Sequence, residues 1–491
     1  MKCSAAYLLL AGLICLSSSL LRAQSARPDM TFGSVTAESW AAGTDSSAAI
    51  ILFDHGEIRY DDSYHAGRLG VVYERHTRIL LLRHDALRLA SLTLSNARKG
   101  DALIDEFKGA TYNLENGSVA VTRLDKSNIF TEKNAEAEIE KVAFPNAKEG
   151  SIIEYRYRIL YPGINFIPTW RFQGMYPERW SEYDISVPRF YDFAVRFQGH
   201  QKFVLDSTIV YDGNGTPIIR RIWALQDVPP LEKAEPYTTT IKNHLSLIEF
   251  QLASVQHNGI ATTYSTTWPQ LIHELLKNDN FGAGLDDHNR WMDDEVKRIT
   301  AGAGGPAEAL RRIYAYVRDQ FSCTQAERIY LSQPIRKTWD EKRGASIADL
   351  NLLLTALCRH QGWNAAPVIL SSRANGYAHD GYPLVSEYNY VIARVLLDGK
   401  QYLLDASKPY LGFGQLPELC YNGWGRAIDS THDRIALFPD SIRESRRTVV
   451  VLANSDSGYT GTYTRRAGTF ESMNLRNQLK KASPEAFFEN L

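Results

Sequence analysis

Apolar residues in the second half of the chain recur with the spacing of helices. After Pro306 they fall every three or four positions, which predicts an amphipathic helix. Its apolar face would hold Leu310, Ile313, Tyr314, Val317 and Phe321. The stretch 346–360 is apolar around its whole circumference, so we predict a buried helix that ends at Gly362. A shorter helix is predicted over 268–276, beginning at Trp268-Pro269.

Short strands are predicted after the buried helix, at 367–371, 388–396 and 401–404. Asp398-Gly399 joins the last two, and this dipeptide is typical of a two-residue hairpin turn. With these residues in the turn, Leu397 pairs with Lys400, and Asp405 faces Ile392. Tyr390 lies two residues from Ile392 and therefore on the same face of the hairpin. The pattern brings positions 390 and 405 together.

Residues 48–228 have the pattern of a β-rich region. Ile152–Ile159 alternates, with Ile153, Tyr155, Tyr157 and Ile159 on one face. Other short runs of branched or aromatic residues predict strands at 49–53, 69–73 and 77–82. Turn sequences such as Asn116-Gly117 separate the runs. Such a succession of short strands predicts an antiparallel β-sandwich.

The N-terminus has the pattern of a secretory signal peptide. Lys2 precedes an apolar run over 7–21, and Ala23 offers a small residue for cleavage. No later stretch has about 18 uninterrupted apolar residues, so we predict no transmembrane segment in the mature chain. The expected location is secreted or periplasmic, with association with the outer membrane left open.

The whole chain is thus divided into six predicted segments. They are a signal peptide (1–24), a linker (25–47), a β-sandwich (48–235), a connecting region (236–305), an α+β domain (306–440) and the start of an incomplete C-terminal β domain (441–491). In the last segment, strands are predicted at 449–452 and 461–465, and a short helical stretch from Pro484.

Composition excludes several classes of function. The formal net charge of −1 over 491 residues provides no electrostatic footprint for nucleic acid. The mature chain keeps Cys323, Cys358 and Cys420, whose spacing matches no zinc pattern. We expect Cys358 and Cys420 in the core. His55, His65, His76 and His84 are expected at the surface or in turns, and no metal or cofactor is predicted.

The stretch 343–365, Arg-Gly-Ala-Ser-Ile-Ala-Asp-Leu-Asn-Leu-Leu-Leu-Thr-Ala-Leu-Cys-Arg-His-Gln-Gly-Trp-Asn-Ala, resembles the catalytic helix of transglutaminase-like domains and its exit. Residues 388–395 and 402–407 resemble the family's histidine and aspartate strands. The upstream β-rich region resembles a domain of unknown function that precedes such domains in secreted proteins of Bacteroidota. The resemblance covers about 48–491. It implies a multi-domain chain, an antiparallel β-sandwich followed by an α+β fold like that of papain-like cysteine peptidases.

Active members of this family need three groups. A cysteine thiolate at a helix N-terminus attacks, a histidine takes the proton, and an aspartate orients the histidine. The resemblance places Ser346 or, one residue later, Ile347 at the cysteine position. It places Tyr390 at the histidine position and Asp405 at the aspartate position. Tyrosine, with an ordinary pKa of about 10, is a poor base at neutral pH.

Two interpretations of these residues stay open from sequence. Ser346 could be an alternative nucleophile, or Ser346-x-x-Asp349 could be a capping box at the start of the helix. Asp405 could be a retained orienting residue, or it could hydrogen-bond the backbone or the Tyr390 hydroxyl in a structural network.

We therefore expect a catalytically inactive, transglutaminase-like protein of the cell envelope. Its partner would be a peptide, a protein or an envelope glycan held in the former active-site cleft. Trp339, Asn351 and Asn389 are the candidate binding residues. One alternative is a secreted amide hydrolase or acyl transferase with a re-sited nucleophile, for which Cys323 is the candidate. A purely structural envelope protein is the third class. The oligomeric state is left open.

Overall fold

The computed structural model describes residues 27–42, 46–65, 68–96, 103–133, 138–164, 166–212, 216–231, 238–257, 259–264, 267–285, 289–379, 383–456, 458–481 and 483–489. They form two compact units. The N-terminal unit contains the described residues up to Lys233 together with His244–Thr262, and the C-terminal unit contains those of Ala234–Asn243 and Thr263–Leu491. The predicted signal peptide, 1–24, lies outside the described residues.

The N-terminal unit is built from β-strands. In chain order they are β1 Ala49–His65, β2 Arg68–Leu81, β3 Ser91–Asn96, β4 Leu103–Glu115, β5 Ser118–Arg123, β6 Ile129–Lys133, β7 Glu138–Ala143, β8 Ile152–Pro162, β9 Trp170–Arg171, β10 Glu178–Pro188, β11 Tyr191–Gln198, β12 Leu205–Tyr211, β13 Ile218–Val228, β14 Leu247–His257 and β15 Ile260–Thr263. Eight of them form a sheet in the order β12-β13-β10-β1-β2-β8-β4-β5. A second sheet contains β11, β14, β15 and β9, and a third has the order β3-β7-β6.

Aromatic side chains join the first two sheets. Phe250 of β14 lies 6.0 Å from Tyr183 of β10 and 5.9 Å from Trp223 of β13, measured between ring centroids. The predicted β-rich N-terminal region is confirmed. It is not purely antiparallel, because β1 and β10 run parallel. The predicted strands 69–73 and 77–82 are two parts of the single strand β2, because no turn interrupts the pairing between them.

Residues 152–155, the first part of strand β8, are buried on both faces, although the sequence of the strand alternates. Glu154 points away from Tyr155 and is fully buried. Its carboxylate lies within hydrogen-bond distance of His76 Nε2 (2.9 Å) and accepts from Arg78 Nη2 (2.7 Å) and Tyr112 OH (2.7 Å). It also accepts from the N–H of Gly33, at 3.0 Å.

The segment 27–42, which we predicted as part of a linker, contacts this polar face. Arg27 pairs with Glu182, and Trp40 Nε1 donates to the Gly150 carbonyl at 2.6 Å. Residues Ala37–Ala42 form a short 3₁₀ helix. Because this segment covers the sheet, charged residues of the face lose contact with water and must pair with one another.

The C-terminal unit has helices and a second group of strands. The helices are α1 Trp268–Lys277, α2 Asp293–Thr300, α3 Pro306–Gln320, α4 Ile335–Glu341, α5 Ile347–His360, α6 Thr469–Lys481 and α7 Pro484–Glu489. The strands are β16 Asn364–Leu370, β17 Tyr390–Leu397, β18 Lys400–Leu404, β19 Gly423–Ala427, β20 Arg434–Leu437, β21 Arg447–Ser455 and β22 Gly458–Arg466. Five strands form an antiparallel sheet in the order β18-β17-β16-β19-β20.

Helix α5 lies in the core of this unit. Every residue from Ile347 to Cys358 is buried, as its apolar sequence predicts. The five predicted apolar positions of α3 are also buried. One core cluster contains apolar residues of α1, α2, α3 and α5 and of the sheet. The helices and strands predicted here are therefore confirmed, with ends shifted by a few residues.

Two predicted segments differ from the structure. The region 236–305 is not only a connection: β14 belongs to a sheet of the N-terminal unit, whereas Leu271, Ile272 and Val296 contribute to the C-terminal core. The helix predicted over 268–276 is α1, whereas the mixed pattern gave no prediction of β14 or of α2. In 441–491, β21 and β22 pair as predicted, but α6 was missed because its residues lack a clear apolar face.

None of the helices in the described ranges has the length and apolar character that crossing a membrane requires.

We predict that Glu154→Gln lowers the free energy of unfolding by about 3 kcal/mol, because it leaves the Arg78 guanidinium buried without its anionic partner. Urea denaturation of the whole chain measures the change. Glu132→Gln, which removes an exposed partner of Lys141, is the control and should cost less than about 0.5 kcal/mol. Equal effects of the two substitutions would contradict the structural role of Glu154.

Candidate functional site

The N-terminus of α5 is closed by its own capping box. Ser346 Oγ accepts from the N–H of Asp349 at 3.2 Å, and the Asp349 carboxylate accepts from the N–H of Ser346 at 2.7 Å. Asp349 also accepts from the N–H and the hydroxyl of Ser332. The capping interpretation of Ser346 is confirmed, and its hydroxyl oxygen is used by the helix.

The hairpin β17–β18 brings Tyr390 to Asp405. Leu397 pairs with Lys400, as predicted, and the register continues to the pair Ala393–Leu404. The Tyr390 hydroxyl donates to Asp405 Oδ2 at 2.6 Å. Of the two interpretations of Asp405, the structure contains the hydrogen bond to the Tyr390 hydroxyl.

Three further groups complete the surroundings of Asp405. Asn351 of α5 donates its Nδ2 to Asp405 Oδ1 at 2.9 Å, and its Oδ1 accepts from the N–H of Ala406. The N–H of Ser407 donates to Asp405 Oδ1 at 2.8 Å. Ser407 Oγ lies 3.3 Å from the Tyr390 hydroxyl. This buried carboxylate is satisfied by neutral donors from α5, β17 and its own loop.

Besides Asn351, helix α5 places an apolar residue close to Tyr390. Ile347, the first residue of the helix, lies in one buried cluster with Tyr390, Ile392 and Cys420. Burial, followed by the nearby Asp405 charge, raises the pKa of Tyr390 well above its ordinary value. Burial likewise raises the pKa of the Cys420 thiol. Tyr390 and Cys420 therefore keep their protons at neutral pH.

Solvent does not reach these positions. Ile347, Tyr390 and Asp405 are 0% exposed, and Ser346 is 2% exposed. In the described structure the three triad positions form a closed interior rather than the floor of an open cleft.

A groove of about 810 Å³ lies beside the closed interior. Ser407 lines the groove and also contacts the Tyr390–Asp405 pair. Cys323 lines it as well, and its thiol accepts from the N–H of Gln325 at 3.4 Å. Burial raises the pKa of Cys323 above its ordinary value, so the thiol stays protonated at neutral pH.

The three candidate binding residues lie in different surroundings. Asn351 is fully buried and belongs to the Asp405 network. Trp339 is 7% exposed and packs against the rings of Trp291, Tyr316 and Phe321. Asn389 is half-buried and donates to Glu327 Oε2 at 2.7 Å and to Ser372 Oγ at 2.9 Å.

Sequence reasoning missed Gln325 and Ser407. Ser407 follows Asp405 by two residues, so its backbone N–H can turn back onto the carboxylate, and that local signal was available. Gln325 had no comparable signal, because the tertiary fold alone brings it to Ser407, whose carbonyl accepts from Gln325 Nε2 at 2.9 Å.

Two of the four histidines, His55 and His76, are placed differently from the prediction, whereas His84 is exposed as predicted. His76 is buried and His55 is largely buried, both within the charged face of the eight-stranded sheet. His55, Glu182 and Asp184 have ligand atoms within 4.8 Å of one another, the only such group within the described ranges. Arg27 already pairs with Glu182, and Arg220 pairs with Asp184. Each carboxylate is therefore neutralised by a guanidinium group of the chain rather than by a metal ion.

Comparison with known proteins agrees with this geometry. Residues 294–404 match the model of the transglutaminase-like superfamily. No curated protein matches the chain. A solved structure of a proposed protease from Parabacteroides distasonis is 14% identical, with a TM-score of 0.57, and the match covers 81% of this chain and 73% of that one. At this identity the likeness shows the fold alone.

Two further structures are more distant. A proposed cysteine protease from Cytophaga hutchinsonii is 8% identical with a TM-score of 0.20, covering 81% of this chain and 91% of that one. An M1 zinc metallopeptidase from Deinococcus radiodurans is 11% identical with a TM-score of 0.22, covering 48% and 54%. Neither likeness is close enough to carry an argument. The family match and the fold together identify residues 294–404 as a transglutaminase-like domain.

Proposed function

We propose that this transglutaminase-like domain is catalytically inactive and binds a peptide, protein or envelope glycan in the groove beside Cys323 and Ser407. One observation carries the proposal. The residue in the base position, Tyr390, keeps its proton and donates a hydrogen bond to Asp405 instead of being a base that Asp405 orients. Location in the periplasm or outside the cell is part of this proposal and is supported by the pattern of residues 1–24.

Catalysis of the family type needs a nucleophile that loses its proton to a neighbouring base. Ile347 has no titratable group, and the hydroxyl oxygen of Ser346 accepts from the N–H of Asp349. The raised pKa of Tyr390 keeps its phenol protonated at neutral pH, so it cannot accept a proton as a neutral histidine in the same place would. These features support loss of the thiol mechanism, since two of its three roles have no suitable group.

The alternative is an amide hydrolase or acyl transferase that uses Cys323. Its favouring observation is that the thiol lines the groove. Against it, burial raises the pKa of the thiol, and the hydrogen bond from the Gln325 N–H, which by itself lowers the pKa, does not offset this effect. A reactive cysteine has a lowered pKa, because a cation, a helix N-terminus or an imidazolium stabilises its thiolate.

We predict no amide turnover by the purified chain. Incubation with casein and a fluorescent primary amine tests acyl transfer, and mass spectrometry of a peptide mixture tests cleavage. The wild type should equal Cys323→Ala and Ser346→Ala in both assays. Turnover by the wild type that either substitution abolishes would overturn the proposed inactivity.

We predict slow alkylation of Cys323 by iodoacetamide at pH 7. Because its pKa is raised, the thiolate fraction and the rate should rise about tenfold per pH unit from pH 7 to 8. Peptide mapping with Cys323→Ser as the control assigns the label. Rapid labelling that is independent of pH in this range would indicate a stabilised thiolate and favour the enzyme alternative.

We predict that Tyr390→Phe lowers the free energy of unfolding by about 2 kcal/mol, because the buried Asp405 carboxylate loses a donor. Thermal or urea denaturation measures the change. Tyr410→Phe, at a 39% exposed position, is the matched control and should cost less than about 0.5 kcal/mol. An unchanged stability of Tyr390→Phe would remove the structural role proposed for the pair.

A further inference from the structure

The groove beside the closed interior has two carboxylates in its lining, and a cation of the same chain neutralises each. Asp319 accepts from Arg318 at 2.7 Å. Glu341 pairs with Lys337 of the same helix, at 3.7 Å between Nζ and Oε1. These two acidic side chains therefore have their own partners and do not balance further positive charge.

Three other cations line the groove: Lys342, Arg343 and Lys480. Within the described residues none of them forms an ion pair with a carboxylate. The Lys342 ammonium lies 3.1 Å from the Tyr316 hydroxyl and 5.5 to 6.0 Å from the ring centroids of Tyr316, Phe321 and Trp339. The groove thus has an excess of positive charge, although the whole chain is nearly neutral.

A fourth cation lies at the edge of the groove. Lys408, between the lining residues Ser407 and Pro409, donates to the neutral side-chain amide of Gln325. This contact leaves its charge unbalanced. It also holds Gln325 beside Cys323, at the point where the groove meets the closed interior.

Backbone conformation singles out the same place. Gln325 and Tyr410 line the groove and have positive φ angles of 63° and 65°, whereas the φ of 55° at Lys342 is the left-handed C-cap of α4. The other non-glycine residues with positive φ in the described ranges belong to types that tolerate this conformation better: Asn116, Asn146, Asp227, Asp398 and His432. Such strain collects at ligand-binding sites, where the surrounding structure enforces it.

The side of the groove that contains Cys323 is suited to binding a peptide in an extended conformation. Residues 322–324 run beside the 342–345 segment, and hydrogen bonds join Thr324 N–H to the Ala345 carbonyl and Ala345 N–H to the Ser322 carbonyl. In the part of the chain that the structure describes, the backbone N–H and C=O of Cys323 have no hydrogen-bond partner. Unpaired main-chain groups of this kind recognise an added peptide strand.

We propose that the groove binds an acidic peptide segment. Its main chain would hydrogen-bond Cys323, and its Asp or Glu side chains would contact Lys342, Arg343 and Lys480. The inference rests on the proposed binding function of this groove and adds the ligand class to it. A glycan offers no main-chain N–H and C=O to pair with Cys323, which is why the peptide is favoured.

Fluorescence anisotropy with the intact chain tests this inference. The probes are three labelled peptides of equal length in which Gly alternates with Glu, Gln or Lys. The Glu peptide should bind at least about tenfold more tightly than the Gln peptide in about 0.05 M NaCl and weaken in about 0.5 M NaCl. The double substitution Arg343→Gln and Lys480→Gln should weaken Glu-peptide binding about tenfold.

The matched control is Lys400→Gln with Arg447→Gln, which removes the same charge from positions outside the groove lining. It should leave Glu-peptide binding unchanged.

Equal binding of the Glu and Gln peptides, unaffected by the groove substitutions, would overturn the acidic ligand but leave the proposed binding function. Binding of polygalacturonate without binding of any peptide would overturn the peptide class. No binding of any peptide or glycan would overturn both the inference and the proposed function.

Discussion

The hydrogen bond from the Tyr390 hydroxyl to Asp405 is the interaction on which the rest of the site depends. A buried carboxylate is costly unless donors satisfy it, and among the described residues no cation forms an ion pair with Asp405. Tyr390, Asn351 and the Ser407 N–H supply the donors. The same contacts join β17, α5 and the loop after β18. A triad geometry is thus retained as a structural network, in which the proton stays on tyrosine.

This network separates the interior from the groove. Ser407 contributes to both, since its N–H satisfies Asp405 while the residue lines the groove. The interior is closed and holds the Asp405 carboxylate among neutral donors, whereas the groove has unbalanced lysine and arginine charges. We therefore assign the interior to stability and the groove to recognition. Binding of a ligand in the groove does not require any residue to change its protonation state.

Local sequence patterns predicted the parts of the site that lie near one another along the chain. The Asp398-Gly399 turn determined the register that brings Tyr390 to Asp405, and the Ser346–Asp349 spacing predicted the cap. Contacts between distant segments could not be predicted in this way. The groove combines residues near 320, 342, 408 and 480. Likewise, the alternation of β8 did not reveal that the segment 27–42 covers its polar face, because that contact depends on a segment more than a hundred residues earlier.

The protonation state of Tyr390 tests the central claim most directly. The chain is labelled at the Cζ carbon of tyrosine with ¹³C, and Tyr390→Phe assigns the resonance. The account predicts that the Tyr390 signal keeps the chemical shift of a protonated phenol at every pH at which the protein remains folded. A titration of this resonance near neutral pH would show a tyrosine able to accept a proton, and would contradict the assignment of the pair to structure.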